Sequence, residues 1–73
     1  MTTQPAHTFG ARLRSLRRER QLSQSQLAAL AGLRPQQMWW YESGRGVPQM
    51  DTLGMFAKAF NMTLSELLDG VTA

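Results

Sequence analysis

Phe9, Leu13 and Leu16 stand four and three residues apart with arginines between them, the spacing of an amphipathic first helix over residues 8–20. Ser23-Gln24-Ser25-Gln26 is a capping box ahead of Leu27, Ala28, Leu30 and Ala31, so a second, short helix is expected there, closed by Gly32 in the left-handed conformation. Arg34-Pro35 restarts the chain, proline being suited to a first helical position where its missing N–H would have no partner anyway. The third helix is expected to run to about Glu42 and to stop at Ser43-Gly44. Arg45-Gly46-Val47-Pro48 reads as a loop. Helical spacing resumes over residues 51–60 with Leu53, Phe56, Ala57 and Phe60 on one side, although Gly54 inside it should cost about 1 kcal/mol relative to alanine. A second capping box, Thr63-Leu64-Ser65-Glu66, opens a last helix with Leu64, Leu67 and Leu68 that ends at Asp69-Gly70. Nothing alternates with the period of a strand. The pattern predicts an all-α, five-helix bundle over residues 8–70, with a flexible tail at 1–7 and a loose end at 71–73.

At 73 residues the chain forms one domain, and such a domain buries only about 60% of the surface its unfolded chain exposes. Much of it is contact surface. No cysteine is present, which removes disulfides and thiolate metal sites and suits a reducing compartment. The first residues lack the charge cluster and apolar run of a signal peptide, and no apolar stretch is long enough to span a bilayer. A cytoplasmic protein without membrane contact is expected, gathered on the nucleoid when bound. Eight basic residues face five acidic ones, and Arg12, Arg14, Arg17, Arg18 and Arg20 crowd into nine positions. That bias favours an acidic partner, nucleic acid first, unless the arginines are simply a solvated face. Catalysis is not expected. His7 stands alone in the tail, the carboxylates form no close pair by spacing, and no glycine-rich phosphate loop follows a strand. Neither a cofactor nor a metal is called for.

Helix, glycine turn, helix between Gln24 and Glu42 is a geometry that lets a second helix stand out from a small bundle and enter a DNA major groove. The ordered motifs Leu13-Arg14-x-Leu16-Arg17, Leu22-Ser23-Gln24-x-x-Leu27-Ala28, Ala31-Gly32-Leu33, Tyr41-Glu42-x-Gly44-x-x-x-Pro48, Leu53-x-x-x-Ala57-x-x-Phe60 and Leu67-Leu68 resemble the phage repressor and Cro type of helix-turn-helix protein, the XRE family. The resemblance covers residues 9–70. It implies a lambda-repressor-like fold, a double-stranded DNA operator as partner, and a homodimer. It further implies that Gln24 clamps a phosphate at a helix N-terminus, and that Arg17 pairs with Glu42 while turning its other edge to a phosphate. A purely structural Arg17–Glu42 salt bridge is the alternative.

With Met38 and Tyr41 facing inward, steps of about 100° per residue put Gln36 and Trp40 on the opposite side and Gln37 and Trp39 on the flanks. Gln36 and Gln37 are the candidate base readers, since a glutamine amide can donate and accept as adenine N6 and N7 require. Arg34 at the third helix's N-cap and Arg45 in the following loop are expected on the DNA backbone. The resemblance weakens at the tryptophans, where the family usually carries small or polar residues. Trp40 is expected against thymine methyls or sugars, and Trp39 against the backbone edge or a neighbouring protein. Alternatively, one indole folds back over Pro35 or the loop at Arg45 to complete the core, or the exposed pair holds a partner protein such as a toxin or another regulator. Asn61, Met62 and Leu64, with Met55 at the margin of the fourth helix, form the candidate dimer surface. Met62 and Leu64 sealing a monomer's core is the competing reading.

Overall fold

A computed structural model describes residues 8–71. The tail at 1–7, including His7, and Thr72 and Ala73 lie outside the described residues. Five helices follow one another: α1 (Phe9–Glu19), α2 (Gln24–Ala31), α3 (Pro35–Glu42), α4 (Met50–Ala59) and α5 (Leu64–Leu67). Three of the starts are capped by a serine or threonine side chain. Thr8 Oγ1 accepts the Ala11 N–H at 3.2 Å. Ser23 and Gln26 exchange side-chain and main-chain bonds across the first turn of α2, as Thr63 and Glu66 do for α5.

Four helices end alike. The N–H groups of Leu22, Leu33, Arg45 and Met62 reach back to the carbonyls of Arg17, Ala28, Trp40 and Ala57 at 3.1, 2.8, 3.3 and 2.9 Å. The residue before each takes a positive φ: Gln21 at 57°, Gly32 at 73°, Gly44 at 82° and Asn61 at 56°. This is the six-to-one closure of a helix end. Glycine adopts it freely and asparagine tolerates it, whereas glutamine at Gln21 costs about 1 kcal/mol or more.

The core draws Phe9, Leu13 and Leu16 from α1, Leu27, Ala28 and Ala31 from α2, Met38 from α3, Leu53, Phe56 and Ala57 from α4, with Phe60 and Leu67 beyond. Phe56 is its centre, packed on Phe9 and edge-on to Tyr41 with ring centroids 6.0 and 6.1 Å away. Leu30, read as part of the α2 apolar run, is 59% exposed. It lies about 110° around the helix from the mean direction of Leu27, Ala28 and Ala31. The last helix is a single turn ending at Leu67, shorter than the expected run to Asp69. Val71, grouped with the loose end, packs half-buried against the core. Gly54 in α4 has no packing cause, since a methyl there would meet nothing within 4 Å, and its helix-propensity cost goes uncompensated.

Gly10 is the opposite case. A Cβ on it would stand 2.5 Å from the Tyr41 carbonyl oxygen and 2.9 Å from that of Glu42, so its bare Cα is what lets α1 touch the end of α3.

Gly10→Ala is therefore expected to lower stability by about 1–3 kcal/mol, because the obstacle is backbone and the helices must separate. Gln21→Gly is expected to raise it by about 1 kcal/mol by relieving the left-handed glutamine. Urea denaturation of the two variants beside the parent checks both signs.

Candidate nucleic-acid interface

Across the turn centred on Gly32, α3 is set with Met38 buried and Tyr41 half-buried beneath it. Arg34, Gln36, Gln37, Trp39 and Trp40 all lie exposed. The two glutamines are not equivalent. Gln37 Oε1 accepts the Arg34 N–H at 3.0 Å, satisfying one of the orphan donors at the helix start. Only its NH₂ group remains fully free, whereas no such tie engages Gln36 among the described residues. Spacing alone gave no warning, since arginine is an unusual first partner for such a box.

The tryptophans are half-exposed, Trp39 at 51% and Trp40 at 47%, and both reach the loop that follows the helix. The Arg45 guanidinium lies over the Trp39 ring, 5.2 Å from its centroid. Trp40 covers Gly46, where a Cβ would fall 2.8 Å from indole Cδ1 and nearer still to Nε1. The expectation that Trp40 points squarely outward is thus only half right: its position on the wheel is outward, but the indole leans along the helix onto the loop. Both indoles meet the Arg45 loop, but they stay half-exposed and neither completes the core.

Behind this surface sits a buried carboxylate. Glu42 is 5% exposed. Its Oε2 accepts Arg17 Nε at 2.6 Å, and its Oε1 accepts Arg17 Nη2 and Gln24 Nε2, each at 3.1 Å. Arg14 Nε stands 3.6 Å from Oε1. Arg17 also donates Nη1 to the Leu22 carbonyl at 2.8 Å, and its side chain is 13% exposed. Both residues named for phosphate contact, Arg17 and Gln24, are therefore drawn inward in the free chain. Burial alone would raise the Glu42 pKa, but the hydrogen bonds from Arg17 and Gln24 and the charges of Arg17 and Arg14 outweigh it and hold the group below its ordinary value.

Two more arginines of α1 serve the fold in ways the sequence did not reveal. Arg12 donates Nη2 and Nε to the carbonyls of Glu66 and Leu67 at 2.8 and 3.2 Å. Arg20 donates Nη2 to the Phe60 carbonyl at 3.2 Å and lies over the Phe60 ring at 4.9 Å. Each meets orphan carbonyls at a helix end. The exposed cations left are Arg14, Arg18, Arg34, Arg45 and Lys58. Of the candidate dimer residues, Met55 and Asn61 are exposed while Met62 and Leu64 are half-buried against the core. Among the described residues no cluster of histidine or carboxylate groups could hold a metal ion, and no helix is long and apolar enough to cross a membrane.

A family model described as a helix-turn-helix domain matches residues 8–69. The HTH-type transcriptional activator BcrR of Enterococcus faecalis is 37% identical over 62 residues, which is 85% of this chain and 30% of that protein. The chain thus spans under a third of that relative's length. The restriction-modification controller protein C.AhdI from Aeromonas hydrophila superposes with a TM-score of 0.77 at 36% identity, over 81% of this chain and 89% of that one. The P22 c2 repressor, in complex with a synthetic operator, superposes with a TM-score of 0.80 at 23% identity over 89% and 98% of the two chains, a likeness of fold.

The Glu42 junction gives stability a definite pH dependence. A carboxyl whose folded pKa lies below its unfolded one contributes fully above the unfolded value and loses that contribution as pH falls through the folded pKa. Glu42→Gln is expected to cost about 1.5–3 kcal/mol at pH 7. The gap to the parent should narrow once pH drops below the ordinary glutamate value of 4.5. Paired urea titrations at several pH values check this; parallel curves would contradict it.

Proposed function

The chain belongs to the helix-turn-helix domain family, and from that membership we propose that it is a small transcription regulator that binds double-stranded DNA by placing α3 in the major groove. The observation that carries the reading is the exposed face of α3, where Gln36, Gln37 and Trp40 stand outward while Glu42 locks the same helix to α1 and α2 from behind. A helix fixed on its inner side and polar on its outer side suits a groove that presents donors and acceptors.

In this reading Gln36 is the principal base reader, its amide donating and accepting on an adenine edge. Gln37 adds a donor while its oxygen caps the helix. The exposed edge of Trp40 meets thymine methyls or sugars. Arg34 and Arg45 follow the phosphate backbone, Trp39 lies beneath the Arg45 guanidinium, and Arg17 and Gln24 act there mainly as braces. Proteins of this fold carry regulation of either sign, one relative being named an activator and another a repressor.

One short helix discriminates few base pairs, and a mismatch costs only about 1–3 kcal/mol against roughly 10⁶ competing genomic sites. The working unit we propose is accordingly a homodimer on a two-fold symmetric operator, its half-site centres about 34 Å apart. Met55, Asn61, Met62 and Leu64 supply the contact between protomers, with Met55 the most open apolar side chain among them at 43% exposure.

Selection of bound sequences from a random DNA pool tests the reading, and an enriched motif with dyad symmetry is the expected result. On that motif Gln36→Ala should lose about 1–3 kcal/mol of base discrimination. Gln37→Ala should lose less specificity but also about 1 kcal/mol of stability through its cap. Two chains per site are expected by sedimentation, falling to one for Met62→Asp. Saturation at one chain per asymmetric site would sink the dimer.

A further inference from the structure

We propose that Trp39 and Trp40 are positioning residues that clamp the Arg45-Gly46 loop and hold the Arg45 guanidinium as a preset phosphate contact beside α3. The proposal rests on the reading of α3 as the DNA-facing helix and adds what makes the neighbouring loop fit to take part.

Arg45 lies between Gly44, which has φ of 82°, and Gly46, so its backbone neighbourhood is permissive. A long side chain on such a loop has much rotamer freedom to lose on binding. The backbone is fixed by the closure of α3, where the Arg45 N–H donates to the Trp40 carbonyl at 3.3 Å, and two side-chain contacts add to it. The Trp39 ring lies under the guanidinium at 5.2 Å, within the range of a cation–π contact. The Trp40 indole closes over Gly46, where the missing Cβ gives it room. No hydrogen bond engages the Arg45 guanidinium among the described residues, so its N–H donors are left to grip a phosphate. Among the described residues the ion pairs are those of Arg14 and Arg17 with Glu42, so the Arg45 charge is left for an external anion.

This also accounts for two tryptophans side by side. Residues about 100° apart on a helix cannot both face the core, and here neither does. Their shared target is one loop dipeptide, Trp39 meeting Arg45 and Trp40 meeting Gly46.

A double-mutant cycle on the selected DNA site, with affinity measured across a salt series, is the decisive experiment. Arg45→Ala should weaken all sequences alike and reduce the salt slope by about 1. Trp39→Ala should weaken binding about two- to fivefold in the parent and leave affinity unchanged when Arg45 is already alanine. Trp39→Phe, which keeps a π face, should recover most of the loss, and Trp39→Leu should not. Trypsin, which cuts after arginine, reads the clamp without DNA: cleavage at Arg45 should be faster in Trp39→Ala and Trp40→Ala than in the parent, with the thermal melt of the Trp39 variant little changed. Equal losses for Trp39→Ala in both backgrounds, or unchanged cleavage at Arg45, would overturn the proposal while leaving the DNA-binding reading in place. A parent chain that binds no DNA at any salt would overturn both.

Discussion

Everything outward on α3 depends on one carboxylate that faces inward. Glu42 is the meeting point of three helices: Arg17 comes from α1, Gln24 from α2, and the acid itself from the last turn of α3. A buried charge without partners is costly enough that the chain must place all three together or not fold well. The pairing is directional as well as strong. A two-point grip by a planar guanidinium admits one rotation of α3 about its axis, and that rotation decides which side chains face solvent. Gly10 acts at the same place by letting α1 approach the carbonyls of Tyr41 and Glu42. Hydrogen bonds set the angle, and the absence of a methyl sets the distance.

Legibility in the sequence followed the range of the interaction. The capping boxes at Ser23 and Thr63, the left-handed Gly32 and the intervals of Phe9, Leu13 and Leu16 all act within a few residues, and each was readable. Arg12 and Arg20 were not, because their partners are main-chain carbonyls 54 and 40 residues away, and a carbonyl leaves no mark on residue type. Leu30 shows a different limit: composition marks α2 as apolar throughout, whereas its angle from the buried side leaves Leu30 wet. At the candidate site, helix periodicity placed Gln36 and Gln37 outward, yet it could not show that Gln37 is engaged by its own helix start. Likewise it fixed the direction of the tryptophan Cβ atoms, while the indoles lean onto a loop whose course no wheel describes.

The distribution of charge has a related lesson. A net charge of +3 suggests a basic surface, but four of the five clustered arginines carry tertiary contacts. Arg12 and Arg20 close the ends of α5 and α4, and Arg17 and Arg14 face Glu42. Arginine suits such work because one planar group can meet two acceptors, or an acceptor and a ring. Charge offered to a partner is therefore concentrated on fewer residues than a count implies, with Arg34 and Arg45 flanking α3.

The single-turn α5 has a consequence for how the molecule opens. Four residues cannot hold a helix by themselves; Leu67 in the core and the two bonds from Arg12 hold it in place. Those bonds close a span of more than fifty residues, so the turn is held by partners far along the chain and not by a ladder of its own. A segment held in this way opens at less cost than the whole domain, and the amide hydrogens of α5 are expected to exchange ahead of those around Gly10 and Glu42.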